Sequence, residues 1–301
     1  MSAMATEQIS ALRPRLFGAA YRMLGSRADA EDVLQDVFLR WQSAEQGAIE
    51  SMEAWLTTAT TRLAIDRLRR RKLEQQSYIG PWLPEPLSEL DLRTPELAAE
   101  LDSDVSIALL TLLEALAPDE RAAFVLHDVM DDDYADIAEA LGKSEAACRQ
   151  MVHRARERVL TKRRRFQVDD ATRRRMLERF IAVANTGDRQ QVIALFAADA
   201  VMTSDGGGKA VAVRRPLHGA ERISWLWYCV GRRAPERRIV TVNGESAIAS
   251  FWCGQLHSVA TIDTDGERIH GFYTIANPDK LSSFAFLSKP RTGTEKATNT
   301  G

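Results

Sequence analysis

The sequence is poor in cysteine and has no long hydrophobic run. Among its 301 residues only Cys148, Cys229 and Cys253 are cysteines, and they form no CxxC pair. This spacing argues against a disulfide framework and against a zinc site, so we expect neither metal nor cofactor. No apolar stretch approaches membrane-spanning length, and the N-terminal residues lack the basic and apolar segments of a signal peptide. We therefore expect a cytoplasmic protein that does not contact a membrane.

Net charge is also nearly absent, but its distribution is uneven. There are 40 basic and 42 acidic residues, a formal net charge of -2. Residues 62–72 hold six basic side chains against one acid, residues 149–165 hold eight against one, and residues 85–104 hold seven acids against one arginine. Two basic blocks flanking an acidic stretch indicate two anion-binding surfaces, although a solvated helix face would explain either block alone.

Residues 9–76 show helical periodicity without strand alternation. In RADAEDVLQDVFLRW (27–41) the apolar residues recur with helical spacing, and the acidic residues fall on the opposite face. The next segment, EAWLTTATTRLAIDRLRRRK (53–72), has an apolar face, a threonine run that is unfavourable in helices, and a cationic C-terminal end. We expect two helices, the first with an acidic surface and the second with a basic end.

A proline-rich, acidic linker is predicted over residues 77–104. Its four prolines, between positions 81 and 95, exclude a regular helix there and favour an extended backbone. Trp82 is the aromatic anchor of this segment. Both a stiff spacer and a docking segment fit such a composition.

Residues 105–166 contain a helix-turn-helix pattern. In YADIAEALGKSEAACRQMVHRARERV (134–159), Gly142 and Lys143 mark the turn and Ser144 can cap the next helix. Small and apolar residues four apart give that helix one buried stripe, and its other face carries long polar side chains suited to duplex DNA. Two packed helices would leave a similar pattern, but the basic tail that follows favours DNA binding.

The pattern changes to an α+β type over residues 169–289. Two helical segments precede stretches with strand character, namely VMTSD, KAVAVRR, RRIVTVN, SAIASFWC, SVATIDTDG and RIHGFYTIA. The glycine-rich SDGGGK (204–209) is not a Walker loop, because a β-like run follows its lysine. We expect a strand-end or hairpin turn at its glycines instead. Residues 290–301 have little apolar content and predict a disordered tail.

These motifs together resemble the extracytoplasmic-function group of the sigma-70 family of bacterial transcription initiation factors. RLFGAAYRMLGSRADAEDVLQDVFLRW and WLTTATTRLAIDRLRR are similar to the promoter-melting domain of that family, and LAPDERAAFVLHDVMDDDYADIAEALGKSEAACRQMVHRARERV is similar to its upstream-element domain. WLPEP (82–86), DGGGK (205–209) and NPDKL (277–281) resemble the signature motifs of the subgroup that carries a SnoaL-like extension of the NTF2-like superfamily.

The resemblance implies a multidomain architecture and a function. Two all-α domains, sigma region 2 (1–76) and the helix-turn-helix region 4 (105–166), would be followed by an α+β cone (169–289). Such a protein binds the largest and second-largest subunits of core RNA polymerase, recognises two-part promoter DNA, and is regulated by contact between its extension and its sigma domains. It performs no catalysis of its own.

The resemblance also assigns residues to these roles. The predicted polymerase-binding residues are Asp29, Glu31, Asp32, Gln35 and Asp36. The single-stranded minus-ten element is expected to meet Thr58, Thr61, Arg62, Arg67, Arg69 and Arg70, where Arg62 replaces an asparagine common in the family. The minus-thirty-five duplex is expected to meet Ser144, Glu145, Arg149, Gln150, His153 and Arg154. The regulatory motifs comprise Trp82, Leu83, Pro84, Glu85, Pro86, Asp205, Gly206, Gly207, Gly208, Lys209, Asn277, Pro278, Asp279, Lys280 and Leu281.

The alternative is a helix-turn-helix regulator whose NTF2-like domain binds or converts a small molecule. Asp205, His218, His257 and His270 are available as acids or bases, but their spacing forms no recognisable dyad. Six aromatic residues either line a ligand pocket or form the core of the cone, and we favour the core. These are Trp225, Trp227, Tyr228, Phe251, Trp252 and Phe272.

Overall fold

The computed structural model of the protein describes residues 3–45, 47, 49–101, 105–162, 168–231 and 236–288. The last residues of the second basic block and the predicted tail lie outside these ranges. Within them, no helix has the length and apolar character needed to cross a membrane, and no group of His, Cys, Asp and Glu side chains is placed to hold a metal ion. The three cysteines are free thiols, of which Cys148 is buried.

The first helical region consists of three packed helices, α1 (Ala3–Leu24), α2 (Arg27–Ser43) and α3 (Met52–Glu74). A serine precedes α2 and another precedes α3, and each accepts a hydrogen bond from the backbone N–H three residues further on. This satisfies one of the unpaired donors at the start of each helix. Gly25, with φ +58°, makes the sharp turn between α1 and α2.

The second helical region contains the helix-turn-helix. A short helix that the sequence did not predict, α4 (Pro95–Leu101), forms inside the linker, with Pro95 as its first residue. The helices of the second region are α5 (Ile107–Leu113), α6 (Pro118–Asp128), α7 (Tyr134–Leu141) and α8 (Glu145–Lys162). Gly142, in the left-handed conformation with φ +62°, ends α7, and the Ser144 hydroxyl accepts a hydrogen bond from the Ala147 N–H at 3.3 Å at the start of α8. The turn therefore lies where the glycine and serine indicate it.

The two helical regions share one hydrophobic core. Apolar side chains of α1, α2 and α3 form a single cluster with those of α5 to α8, and α3 packs directly against α6 and α7. Fully buried members from both regions include Leu24, Leu56, Val125 and Ile137. Separating the regions would expose this surface to water at a cost of roughly 25 cal/mol per Å².

The third region is α+β, as expected. It contains α9 (Asp170–Thr186), α10 (Arg189–Leu195), β1 (Phe196–Asp205), β2 (Leu217–His218), α11 (Ala220–Gly231), β3 (Glu236–Val242), β4 (Glu245–Trp252), β5 (Gln255–Thr264) and β6 (Ile269–Ile275). The strands form one sheet in the order β2-β1-β6-β5-β4-β3, in which β1 and β6 are parallel and the other neighbours antiparallel. Short 3₁₀ turns follow at Pro278–Lys280 and Ser282–Leu287.

Two local features differ from the sequence patterns. The KAVAVRR segment forms no strand, and Val211 within it is 88% exposed. Without a neighbouring strand its alternating pattern has no partner to pair with. The helix α11 was not indicated by the sequence, because its aromatic and β-branched residues are typical of strands. The glycines after β1 do form a strand-end turn, with φ +58° at Gly207 and +72° at Gly208.

The sheet is covered on its two faces by different parts of the chain. One face packs against α9 and α11 through a cluster that includes Leu177, Phe180, Ile223 and Phe272. The other cluster joins sheet residues such as Phe251 and Ile275 to Leu83 of the linker and Ile107 of α5. The linker and the helical regions therefore complete the core of the C-terminal region.

Candidate polymerase, promoter and regulatory sites

The acidic helix α2 presents part of the predicted polymerase-binding set to solvent. Asp32, Gln35 and Asp36 are exposed, and Glu31 is half-buried in an ion pair with Arg13. Asp29 differs from the expectation of a uniformly exposed acidic face. Its side chain turns inward, and its Oδ1 accepts a hydrogen bond from Arg67 Nη2 at 2.6 Å.

The predicted minus-ten surface of α3 is largely occupied by contacts within the protein. Thr61 is 2% exposed, and Arg67 is engaged by Asp29, so neither is presented as the sequence suggested. Arg62 donates to the Ala140 carbonyl at 2.9 Å and to the Glu139 carbonyl at 3.0 Å, both at the end of α7. Arg62 itself stays exposed, so these hydrogen bonds tie α3 to the end of α7 without burying its side chain.

The remaining members of that set lie nearer the surface. Thr58 is half-buried, and Arg69 reaches across to Asp119 of α6, where Nη2 and Oδ1 are 3.1 Å apart. Arg70 is exposed, and its Nε donates to the carbonyl of Asp66 in its own helix at 3.4 Å. The basic block of α3 is thus mainly paired with protein groups in this conformation.

A buried charge cluster joins α3 to the second helical region. Glu114 accepts hydrogen bonds from Arg71 Nη2 and from Arg121 Nη1, each at 3.2 Å, and both arginine side chains are 3% exposed. Burial alone would raise the pKa of Glu114, but the two arginines outweigh it and lower that pKa. The basic block 62–72 predicted Arg71 to be part of an anion-binding surface, whereas its charge is paired with Glu114 inside the protein.

The predicted duplex-reading face of α8 is open. Glu145, Arg149, Gln150 and His153 are exposed, and Arg149 pairs with Glu145 on its own helix, with Nη1 and Oε2 3.2 Å apart. The opposite stripe, which includes Cys148, is buried against α6 and α7. Arg154 is also exposed, but its Nε donates to Glu120 of α6 at 2.9 Å. Arg154 therefore helps to hold α8 in place.

The three motifs WLPEP, DGGGK and NPDKL meet at one point, which we call the junction. Asp205, the last residue of β1, is fully buried. Its Oδ2 accepts a hydrogen bond from the Leu83 N–H at 2.9 Å and from the Lys280 ammonium at 2.7 Å. Its Oδ1 accepts one from the Tyr78 hydroxyl at 2.5 Å. A carboxylate of the C-terminal sheet thus binds the linker backbone and a linker side chain at once.

Lys280 adds a second set of contacts to the junction. Its ammonium donates to the Leu83 carbonyl at 2.5 Å, and it lies 3.3 Å from the centroid of the Trp82 ring. The Arg71 guanidinium carbon lies 4.4 Å from the centroid of the same ring. Trp82 therefore contacts one cation from α3 and one from the C-terminal region. Burial lowers the pKa of Lys280 to about 8, although Asp205 acts in the opposite direction.

The glycine at the centre of DGGGK is required by this packing. Gly207 has φ +58°, and a Cβ built on it would lie 2.3 Å from Asn277 Nδ2 and 2.9 Å from the Tyr78 hydroxyl. Asn277 Nδ2 itself donates to that hydroxyl at 2.9 Å. At the rim, the exposed Lys209 and Asp279 form an ion pair 2.5 Å long. Any side chain at position 207 would push NPDKL away from the linker.

The same linker segment also binds the first helical region. The Glu85 carboxylate accepts hydrogen bonds from the Ser26 hydroxyl at 3.0 Å and from the Arg27 N–H at 2.9 Å, at the start of α2. An anion is favourable there because of the unpaired N–H groups and the helix dipole. WLPEP therefore connects the C-terminal sheet at its first residues to the acidic helix at its fourth.

Sequence reasoning missed a second linker contact at the turn between β3 and β4. Asn243 Nδ2 donates to the Tyr21 hydroxyl at 2.8 Å and to the Val105 carbonyl at 2.6 Å, and its Oδ1 accepts from the Leu87 N–H at 2.8 Å. Asn243 has φ +53° and the following Gly244 has φ +79°, as in a type I′ hairpin turn. The Asn-Gly pair signals such a turn, but nothing in the sequence says what the turn touches.

The candidate acid and base residues of the C-terminal region are not gathered in one site. Asp205 is used at the junction, His218 is exposed, and His270 Nε2 lies 2.8 Å from Asp265 Oδ2. His257 lines a cavity between the sheet and α11 and contacts the ring of Trp252. Four of the six aromatic residues divide between the core and this cavity. Phe251 and Phe272 belong to the core, whereas Trp227 and Trp252 line the cavity.

Family models match both helical regions. Residues 8–74 match sigma-70 region 2, and residues 106–159 match sigma-70 region 4. The chain is 34% identical over 295 residues to the extracytoplasmic-function RNA polymerase sigma factor SigJ of Mycobacterium tuberculosis, covering 93% of this chain and 94% of that one. It is 28% identical over 272 residues to the probable extracytoplasmic-function RNA polymerase sigma factor SigI of the same species, covering 89% of this chain and 92% of that one.

A solved structure agrees with both the helical and the C-terminal parts. The crystal structure of M. tuberculosis SigJ superposes with a TM-score of 0.76 at 33% identity, covering 93% of this chain and 98% of that one. The match includes the C-terminal α+β region, which corresponds to the SnoaL-like extension of SigJ. Because the similarity spans nearly the full length of both chains, the protein belongs to the extracytoplasmic-function sigma factors of the sigma-70 family.

Proposed function

We propose that this sigma factor directs promoter-specific initiation by core RNA polymerase and that its C-terminal region regulates that activity in cis through the junction. Sigma factors bind core polymerase and promoter DNA, and the chain has both sigma regions. Regulation in cis is supported by one observation above all. The linker between the two sigma regions is held by Asp205 and Lys280 of the C-terminal sheet. We assign its action to the cytoplasm, where the polymerase works.

The proposed binding surfaces follow from exposure and charge. We assign the exposed acidic residues of α2 to a basic surface of the largest polymerase subunit, and the open face of α8 to the minus-thirty-five duplex. Binding of the second helical region to the second-largest subunit completes the set. The α3 face, with its cationic end, is assigned to the single-stranded minus-ten element.

The mechanism is a shift between a closed and an open arrangement. In the closed arrangement described here, the donors of Arg62 are used by carbonyls at the end of α7, so this side chain is not available to DNA while α7 stays in place. Promoter melting requires that α3 and α7 separate while the linker spans the gap. The linker is attached to the C-terminal region by hydrogen bonds from Leu83 and Tyr78 to the buried Asp205–Lys280 pair. The free energy of that attachment biases the equilibrium between the two arrangements.

Transcription in vitro with purified core polymerase tests this proposal. The variant Asp205→Asn keeps the size of the side chain and an acceptor for the Leu83 N–H but removes the charge that holds Lys280. The control is Glu178→Gln, which removes an exposed carboxylate on α9. We expect Asp205→Asn to change the yield of promoter-specific transcript severalfold at unchanged core binding, and the control to match the wild type.

The direction of the change identifies the role of the junction. An increase means that the junction restrains the closed form, and a decrease means that it assembles the active one. Equal yield from wild type and Asp205→Asn over a range of promoters contradicts regulation in cis but leaves the sigma activity intact. Absence of specific initiation by the wild type contradicts the promoter assignment itself.

A further inference from the structure

The cavity of the C-terminal region has a wall chemistry that the sigma activity does not use. It has a volume of about 260 Å³ and lies between the concave side of the sheet and α11. Met202, Leu226 and Trp227 give it apolar walls, and Ser250 and Thr274 add hydroxyl groups. A mostly apolar cavity with a few polar groups is the usual form of a small-molecule site.

Residues that line this cavity carry four buried polar atoms without hydrogen-bond partners in the described part of the chain. They are Arg237 Nε and Nη2, Trp227 Nε1 and Thr274 Oγ1. Buried polar atoms are nearly always paired, so four at one cavity require an explanation. The three nitrogens carry only N–H groups and can only donate. Whatever completes this site must supply acceptors.

Because Arg237 is a cation, a group that completes this site should supply negative charge as well as hydrogen-bond acceptors. Its Nη1 donates to the amide oxygen of Asn185, and its guanidinium carbon lies 5.5 Å from the centroid of the Trp227 ring. Both partners are neutral, and among the described residues no carboxylate forms an ion pair with it. The segment 232–235, just before Arg237, contains no acidic residue. Burial lowers the pKa of this guanidinium, yet arginine remains charged in proteins. Within the described part of the chain, the guanidinium of Arg237 therefore has no counter-charge beside an apolar cavity.

We propose that the cavity binds a small apolar anion, such as an aryl or short alkyl carboxylate, whose negative group pairs with Arg237. A carboxylate offers two acceptor oxygens to the guanidinium, and rotation of the Arg237 side chain turns its unpaired N–H groups toward them. The rings of Trp227 and Trp252 then cover the apolar part. His257, whose pKa burial lowers, is neutral near pH 7 and adds one more hydrogen-bonding group.

The cavity also borders the part of the molecule that touches the linker. Ser204, Ala212 and Val213 line both this cavity and a smaller one whose other wall includes Ile79 and Gly80 of the linker. A bound anion would thus lie one residue layer from the junction. The binding proposal itself does not depend on regulation in cis, and its test does not use transcription.

Isothermal titration with the full-length protein tests the proposal with naphthoate, its uncharged counterpart naphthamide, and octanoate. The variant Arg237→Met removes the cation but keeps an apolar side chain of similar length. The matched control is Arg238→Met, because the neighbouring arginine lies on the opposite face of β3, over Phe251, and pairs with the exposed Glu236. Circular dichroism confirms that each variant is folded.

We expect at least one of the two carboxylates to bind, with the same affinity for the wild type as for Arg238→Met. If naphthoate binds, naphthamide should bind these two proteins at least about tenfold more weakly. The affinity of Arg237→Met for the carboxylate that binds should be lower than that of the wild type by a similar factor. Equal affinity for naphthoate and naphthamide, a carboxylate affinity unchanged in Arg237→Met, or no binding of either carboxylate at roughly millimolar concentration overturns the proposal.

Thermal unfolding without ligand gives an independent readout. If the guanidinium lacks a counter-charge, Arg237→Met has a higher Tm than the wild type, because a half-buried cation without a carboxylate partner has been removed. A Tm that falls well below that of Arg238→Met means that the protein already compensates the charge, and contradicts the proposal.

Discussion

The two helices proposed to contact promoter DNA, α3 and α8, differ in what covers them. The outer face of α8 is open, and among the described residues Arg149 contacts Glu145 of its own helix and the ring of Tyr134 in α7. The corresponding arginines of α3 are exposed but engaged by other helices, since Arg62 binds carbonyls of α7 and Arg69 binds Asp119 of α6. A basic helix end in the sequence therefore indicates where an anion can bind, but not whether the surface is free. The face of α8 proposed to read duplex DNA is thus open in this conformation, whereas two arginines of α3 proposed to bind the single strand are engaged by α6 and α7.

The largest expected effect comes from the buried charge cluster of Arg71, Glu114 and Arg121, which joins α3 to the second helical region. Glu114→Ala leaves Arg71 and Arg121 buried without their shared carboxylate, so we expect the free energy of unfolding to fall by about 3–5 kcal/mol. Chemical denaturation measures this. Glu31→Ala is the control, because its pair with Arg13 is partly exposed and worth about 0–1 kcal/mol. Similar losses from both variants would show that the cluster does not stabilise the interface.

The open face of α8 is tested by DNA binding rather than by stability. We expect Arg149→Ala to weaken binding of the polymerase holoenzyme to its promoter by roughly 1–3 kcal/mol, because a contact to a base or phosphate is lost. Arg174→Ala removes a similar arginine, which pairs with Glu178 of α9 one helical turn away. Promoter affinity measured at fixed salt should fall only in the first variant. Equal affinity in the two variants would mean that the reading face lies elsewhere.

The contact of Arg62 with α7 is tested by comparing two arginines of α3, Arg62 and Arg70. Arg62→Ala removes two hydrogen bonds to α7 and should make the separation of α3 and α7 easier by about 1 kcal/mol. Arg70→Ala removes an arginine of the same helix that has no contact with α7 among its described hydrogen bonds. Hydrogen exchange of the α7 amides should be faster in the first variant only. Exchange that is equally slow in both variants would show that Arg62 does not hold α7 against α3.

The smallest expected effect is the pH dependence of the junction. The pKa of Lys280 is lowered from 10.5 to about 8, mainly by burial. Between these values the unfolded chain binds more protons than the folded one, so a rise in pH favours the folded state at this group. We expect the stability of the wild type relative to Lys280→Met to increase by about 1 kcal/mol between pH 7 and pH 9. The exposed Lys209→Met is the control. If the Tm of the wild type minus that of Lys280→Met stays constant or falls as the pH rises, the burial of the ammonium is contradicted.

Local patterns predicted much of the fold because their causes are local. Gly142 and Ser144 mark the turn of the helix-turn-helix, since a left-handed residue and a capping hydroxyl act within a few residues. The alternating strands of the C-terminal region were found for the same reason. Val211 shows the limit of such patterns, because its segment alternates like a strand but has no neighbour to pair with.

The candidate sites were predictable only in part. The exposed polar face of α8 follows from helical periodicity, which fixes which side chains share a side. The inward turn of Asp29 does not, because it depends on Arg67, 38 residues away in the chain. The meeting of Tyr78, Asp205 and Lys280 is equally non-local, and so is the unpaired guanidinium of Arg237.

The sequence by itself determined the family, the order of the helical and α+β regions, and the positions of the turns and caps, since each of these rests on spacings of a few residues. Only the tertiary structure decided which charges face water and which face each other. The reason is physical. The free energy of a charged side chain depends on its burial and on its distance to partners that folding brings close. Neither quantity is fixed by the residues next to it in the sequence. Thus the same arginine type is a free surface group at position 70, a buried link at 71 and an uncompensated cation at 237.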